Sequence, residues 1–109
     1  LFIGEGATMA SECAILGTPS IYVNSLSAGS LEDQAKENLI HMFHSTDGVI
    51  EKTQEILGDD NYKTRQKEIC YKALENKIDV NKLIEWFILN YPDSSKKLQK
   101  NPNFQYNIN

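Results

Sequence analysis

Short apolar runs separated by glycine and proline dominate the first part of the chain. Residues 1–3 form a continuous apolar run that stops at Gly4, which is typical of a strand buried on both faces of a parallel sheet. Small and apolar residues follow, and Gly17 and Pro19 end them before a β-branched and aromatic run over 20–23. The pattern predicts a strand, a helix and a second strand, and therefore a βαβ unit.

The turn between the first predicted strand and the helix contains two glycines, Gly4 and Gly6, on either side of Glu5. Glycine allows a sharp turn and a close approach of another group to the backbone. Thr8 is predicted to cap the helix. The side chains predicted to pack against the sheet recur at helical spacing: Met9, Cys13 and Leu16.

A helix that begins directly after a strand presents unpaired amide N–H groups and the positive end of its dipole. We therefore expect the backbone at Gly6, Ala7 and Thr8 to favour an anion, and phosphate is the commonest occupant of such a position. A plain βαβ turn whose small residues serve close packing is the alternative.

Glu12 lies in the middle of the predicted helix, one turn after Thr8 and on the same side as the start of the helix. A carboxylate is a natural acceptor for the two hydroxyl groups of a ribose. A glutamate exposed to solvent without a ligand is the alternative.

A polar loop containing Asn24, Ser25 and Ser27 follows the second predicted strand. Ligands of open α/β sheets bind at the carboxyl ends of the strands, so this loop could contact a sugar, although an ordinary linker is the alternative. A short helix is predicted over 31–39, with Glu32, Asp33 and Gln34 near its start. Negative charge at a helix amino terminus is stabilising by itself.

The remaining chain predicts one more strand, over 40–44, and then helices. His41 and His44 lie on opposite faces of that strand, and no carboxylate stands at ligand spacing, so we predict no metal site. Three helices are predicted next. The first is capped by 45–47 and ends at Leu57, with Ile50, Thr53 and Leu57 inward. The second runs over 62–76, with Tyr62, Ile69, Ala73 and Leu74 buried, and the third runs over 80–91 and is capped by Asp79. The apolar face of the last helix is predicted to be ordinary core: Val80, Leu83, Ile84, Phe87, Ile88 and Tyr91.

Composition narrows the possible partners. The chain has 109 residues, 40% of them hydrophobic, and a net charge of −4, which argues against a nucleic-acid partner because that needs a basic face. No apolar run is long enough to cross a bilayer. Cys13 and Cys70 have no Cys or His companions at ligand spacing, which indicates reduced thiols in a cytoplasmic protein, with neither a disulfide framework nor a zinc site. We predict no cofactor.

The front of the chain resembles the carboxy-terminal, nucleotide-sugar-binding half of GT-B glycosyltransferases. The shared spacing Gly-x5-Glu-x4-Gly-x-Pro runs from Gly6 through Glu12 and Gly17 to Pro19. UDP-N-acetylglucosamine 2-epimerases carry a related turn, glutamate and Leu-Gly-x-Pro. An uncharacterised bacterial and archaeal family of the same superfamily is similar over nearly the whole length, including 77–80 and 101–106.

The pattern and the resemblance together predict an α/β fold, namely a partial Rossmann-like parallel sheet of about three strands with flanking helices and a helical carboxy-terminal end. The resemblance implies a nucleotide-sugar-binding domain over 1–100 and a tail over 101–109. The resemblance suggests that Phe104 and Tyr106 dock on an amino-terminal domain. We expect that domain to be absent here, which leaves both residues in a disordered end or in a crystal or dimer contact.

The binding residues implied or predicted are Gly4, Glu5, Gly6, Ala7, Thr8, Met9, Glu12, Asn24 and Ser25. In the related transferases polar residues at the start of the next helix contact the donor sugar, so the resemblance adds Glu32, Asp33 and Gln34 as further candidates, with stabilisation of the helix terminus as the alternative.

The function implied is donor binding for a glycosyltransferase, and no catalytic residue is expected within this chain. A UDP-sugar 2-epimerase and a non-catalytic nucleotide-binding module of the same fold remain alternatives. A dinucleotide oxidoreductase fits less well, because Met9 occupies the third glycine position of that fingerprint and the second strand ends in Asn24 instead of an acid.

Overall fold

A computed structural model describes residues 1–26, 29–75 and 77–108. The protein contains a small parallel sheet. Three strands pair in the order β1 (Phe2–Gly4), β2 (Ser20–Val23) and β3 (His41–Phe43). Both pairings are parallel, with Ile3 opposite Ile21 and Ile21 opposite His41. The α/β class predicted from the sequence is confirmed.

The chain divides into two compact units, Leu1–Glu75 and Asn76–Asn109. The first unit holds the sheet and α1 (Ala7–Ile15), α2 (Gly29–Lys36), α3 (Val49–Leu57) and α4 (Tyr62–Glu75). The second holds α5 (Val80–Leu89), α6 (Asp93–Lys100) and a 3-10 helix, Pro102–Asn107. Among the described residues, no helix is long and apolar enough to cross a membrane.

Small side chains form the contact between α1 and the core. Ala10 and Ala14 are fully buried and belong to a cluster with five larger neighbours: Tyr22, Leu31, Leu39, Ile40 and Cys70. Met9 and Leu16, predicted to face the sheet, are instead 56% and 74% exposed. Alanine recurs at positions 7, 10 and 14 on the opposite side of the helix, and that narrow stripe lets α1 approach the core closely.

The strand β1 is less buried than its apolar sequence predicts. Ile3 and Leu1 are exposed, because among the described residues β1 pairs only with β2 and lies at the edge of the sheet. The central strand β2 has the burial that was predicted for β1, with Ile21 fully enclosed. The prediction of burial on both faces of the first strand is therefore wrong.

Only some of the helix-capping residues predicted from the sequence are found in the structure. Gly17 adopts the left-handed backbone predicted for it, with φ +68°, and the Asp79 side chain accepts from the amides of Asn81 and Lys82 as a cap. Thr8 does not cap α1, because the cap position belongs to Gly6. The predicted cap of α3 is also wrong: Gly48 takes that position, while Ser45 Oγ donates to Asp47 within the loop.

The buried faces of α3 and α4 also differ from the prediction. On α3, Ile56 is buried, whereas Ile50 and Leu57 are exposed. On α4, the buried residues are Gln66 and Cys70. The predicted α4 set instead contributes partly buried or exposed side chains: Tyr62, Ile69, Ala73 and Leu74.

The second unit places little of its apolar surface inside. No residue of α5 is buried, so the prediction that its apolar face is ordinary core is wrong. The tail does fold: the rings of Trp86 and Phe104 lie 5.3 Å apart, and Lys97 Nζ lies 3.8 Å from the centre of the Phe104 ring. Ser94 is buried and its hydroxyl donates to the Phe87 carbonyl at 2.7 Å. Phe104 thus packs within its own unit instead of lying in a disordered end.

Candidate functional site

The carboxyl ends of the strands gather most of the predicted site residues. All three strands are parallel, so the segments that follow them leave the sheet at one common edge. The turn from Gly4 to Gly6 follows β1, and Asn24 and Ser25 follow β2. The register pairs Gly4 with Tyr22, which brings these two segments side by side.

The start of α1 is open at this edge. Gly6 occupies the cap position with φ −79° and ψ 105°, and no side chain among the described residues caps the helix. The first intrahelical bond runs from the Ala10 amide to the Gly6 carbonyl at 2.9 Å, so the amides of 7–9 lie ahead of the helical ladder. The first turn carries no acidic residue, which leaves the positive end of the helix dipole without a neutralising charge of its own.

Gly6 is required neither by backbone conformation nor by packing. Its φ is negative, and a Cβ placed there would lie 3.7 Å from the Met9 Cβ, an ordinary contact. Most residues could therefore occupy the position. The lack of a side chain leaves the first amides of α1 uncovered, as close approach of a ligand to the backbone requires. Gly4 differs, since a Cβ there would lie 3.0 Å from the Phe2 ring.

Glu12 is exposed, and within the described residues its carboxylate has no hydrogen-bond or ion-pair partner. It lines a shallow cavity of about 340 Å³ along the outer face of α1 with Ser11, Ile15 and Leu16. Helical side chains tilt toward the amino terminus, and Thr8 is one turn earlier on the same side. The carboxylate thus belongs to the outer face that leads to the open end of α1.

Asn24 is partly committed to shaping its loop. Its backbone amide donates to the Phe43 carbonyl at 3.0 Å, and its side-chain oxygen accepts from the Leu26 amide at 2.9 Å. The side-chain NH2 group is then the donor left for a ligand. Ser25 is exposed beside it, whereas Ser27 lies outside the described residues.

The candidates on α2 separate into two groups. Glu32 is exposed, and Asp33 pairs with Lys36 at 2.9 Å, so both serve the surface of the helix. Gln34 turns toward α1, where its Nε2 donates to Ser11 Oγ at 2.7 Å. Its Oε1 is buried and has no partner among the described residues. The sequence did not single out Ser11, and a contact between residues 23 positions apart leaves no local signal.

His41 does not join this site, whereas His44 is exposed directly after β3 at the carboxyl edge. His41 Nε2 lies 2.6 Å from the Tyr62 hydroxyl at the start of β3, which is the opposite edge of the sheet. Burial, and secondarily the charge of Lys52, lowers the pKa of His41. Burial raises the pKa of Tyr62. Across the described ranges, no three His, Cys, Asp or Glu side chains gather as a metal ion would need.

The described residues form a parallel α/β unit. Its first helix begins at the open edge of the sheet, beside polar groups that have no partner within those residues. No family model matches the chain, and neither the curated proteins nor the solved structures contain a match to it. A functional assignment therefore depends on the geometry of this edge and on the resemblance of the motif around Gly6 and Glu12.

Proposed function

We propose that the chain is the donor-binding half of a glycosyltransferase-like protein and binds a nucleoside-diphosphate sugar. The observation that carries the proposal is the uncapped start of α1, where the amides of 7–9 lack intrahelical acceptors at the carboxyl edge of a parallel sheet. Amides in this arrangement bind phosphate oxygens, and the helix dipole adds a favourable term.

The diphosphate would lie across Gly6, Ala7 and Thr8, with Gly4, Glu5 and Met9 forming the turn around it. The exposed carboxylate of Glu12, which has no partner among the described residues, would accept from the ribose hydroxyls. Asn24 and Ser25 would contact the sugar from the end of β2. This division of roles follows the GT-B resemblance, and it requires no catalytic group from this chain.

Binding, not turnover, tests the proposal. Calorimetry with UDP-N-acetylglucosamine on the wild-type chain should give saturable binding. Glu12→Gln should weaken it about 10- to 100-fold, which corresponds to about 1–3 kcal/mol for hydrogen bonds to a charged group. Glu68→Gln, an exposed mid-helix glutamate on α4, is the matched control and should bind as the wild type does.

Comparing ligands separates the phosphate role from the ribose role. UDP should bind more tightly than UMP, and uridine should bind most weakly, if the amides of α1 hold the diphosphate. NAD should not compete with UDP, because we do not expect this site to bind dinucleotides. Equal affinity of the wild type and Glu12→Gln for UDP would remove Glu12 from the site, and absence of UDP binding to the wild type would end the proposal.

A further inference from the structure

The carboxy-terminal end of α1 and the neighbouring face of α4 form a second cavity, outside the open edge of the sheet. It measures about 260 Å³, and seven residues line it: Ile15, Leu16, Gly17, Lys67, Cys70, Tyr71 and Leu74. Most of its apolar members are exposed, led by Leu16 at 74% and Tyr71 at 69%. Exposed apolar residues gathered around a cavity mark an interaction surface more often than scattered ones do.

Leu16 stands between two depressions. It lines this cavity and also the 340 Å³ cavity beside Glu12. The surface therefore presents a protruding leucine next to a hollow with apolar walls. A two-fold pair of identical surfaces can use this arrangement, because each copy offers both the projecting leucine and the space that receives its counterpart.

The charges around Leu16 repeat this self-complementarity. Glu12 lines the cavity on one side of Leu16, and Lys67 lines the cavity on the other side. Neither side chain has an ion-pair partner among the described residues. The Lys67 stem lies close against Gly17, because a Cβ at Gly17 would lie 2.8 Å from its Cγ. A two-fold axis between Leu16 and the cavity beside Lys67 would place Leu16 of each copy over the cavity of the other and would bring Glu12 of each copy toward Lys67 of the other.

We propose that this α1–α4 surface is the interface of a two-fold homodimer. Leu16 of each copy inserts into the cavity of the other, Tyr71 packs at the rim, and two Glu12–Lys67 pairs fix the orientation. Tyrosine and leucine at the centre supply the apolar contact, and the paired charges supply orientation more than affinity.

The dimer and the proposed ribose contact both use Glu12. The two roles exclude each other at one carboxylate, so a bound sugar nucleotide would shift the dimer toward the monomer. The dimer itself does not depend on the nucleotide. Its test is therefore run without nucleotide, so that failure of one proposal leaves the other to be judged separately.

Analytical ultracentrifugation of the full chain over a wide concentration range tests the proposal. The wild type should show a concentration-dependent monomer–dimer equilibrium. Leu16→Ser should raise the dimer dissociation constant at least about 10-fold. Leu57→Ser, which alters an equally exposed leucine on α3, should leave it unchanged.

A charge exchange distinguishes this geometry from any other dimer. Glu12→Lys and Lys67→Glu should each weaken the dimer, and the double variant should restore it to within a few-fold of the wild type. Circular dichroism spectra verify that each variant is folded. A wild type that stays monomeric at all concentrations overturns the proposal. A dimer that survives Leu16→Ser but is broken by Ile88→Ser on α5 overturns it as well.

Discussion

The two edges of the parallel sheet differ in how completely their polar groups are paired. At the amino edge, side chains of α4 bond the carbonyls that end the preceding helices: Cys70 Sγ donates to Ile15 O at 3.0 Å, and Gln66 Nε2 donates to Asn38 O and Leu39 O. At the carboxyl edge, no side chain of the described residues caps α1. Substitutions at the amino edge should therefore change stability, and those at the carboxyl edge should change binding.

The largest effect is expected for Gln66 at the amino edge. Gln66→Met keeps the length of the side chain but removes both hydrogen bonds, at 3.1 and 3.0 Å, to the carbonyls after α2. Two carbonyl groups would lose their partner, so the free energy of unfolding should fall by about 2–4 kcal/mol. Urea unfolding followed by far-UV circular dichroism measures the change.

The control for this prediction is Gln54→Met on α3. Gln54 is exposed, so its replacement should shift the unfolding midpoint only slightly. Equal shifts for both variants would mean that the bonds of Gln66 do not stabilise the amino edge. The contrast between the edges would then lose its main support.

A smaller effect is expected for the pH dependence of stability, through His41 at the same amino edge. Burial lowers the pKa of His41 from its ordinary value of 6.5, and Lys52 adds to the shift while Glu55 opposes it. The unfolded chain therefore takes up the proton at higher pH than the folded chain does. Stability is retained above about pH 6.5 and falls as the pH drops below that value toward the folded pKa.

His41→Gln should make the loss of stability between about pH 7.5 and about pH 5.5 smaller than in the wild type. Glutamine can still hydrogen-bond the Tyr62 hydroxyl, which lies 2.6 Å from His41 Nε2, so the edge should remain closed. The unfolding midpoint in urea at the two pH values gives the difference. His44→Gln, at an exposed position, is the matched control. An unchanged pH dependence in His41→Gln would show that His41 does not couple protonation to folding.

Local chemistry explains which parts of the fold could be predicted from sequence. The left-handed Gly17, the Asp79 cap and the three strands each follow from residues within a few positions of one another. Burial of a helix face does not, because it depends on distant partners. The choice of Ala10 and Ala14 over Met9 and Leu16 requires knowing how closely the core approaches α1.

The candidate site also has features that a sequence can indicate and contacts that it cannot. The glycine turn and the exposure of Glu12 are properties of one short segment, and a sequence can indicate them. The contact of Gln34 with Ser11 and the bond from Cys70 to Ile15 join residues 23 and 55 positions apart. The exposed apolar face of α5 is a further case, since its helical periodicity alone predicts a buried stripe.

The smallest effect on stability is expected for Gly6 at the start of α1, and comparing it with Gly17 at the other end of the helix gives the sharpest contrast between the edges. Gly6→Ala places a Cβ where φ is negative and the Met9 Cβ is 3.7 Å away, so nothing clashes. Alanine lowers the entropy of the unfolded chain but is a poorer N-cap than glycine, so the free energy of unfolding should change by less than about 1 kcal/mol. The same methyl group would cover the first amides of α1, so UDP should bind more weakly.

Gly17→Ala is the opposite case. Its φ is +68°, and the added Cβ would lie 2.8 Å from Lys67 Cγ and 3.2 Å from the Lys67 Cα, so the protein should lose about 1–2 kcal/mol from the left-handed backbone alone. Its affinity for UDP should match the wild type under conditions where both are folded. Calorimetry and urea unfolding on the two variants provide all four values. If Gly6→Ala leaves UDP affinity intact, the phosphates do not approach the backbone closely at Gly6.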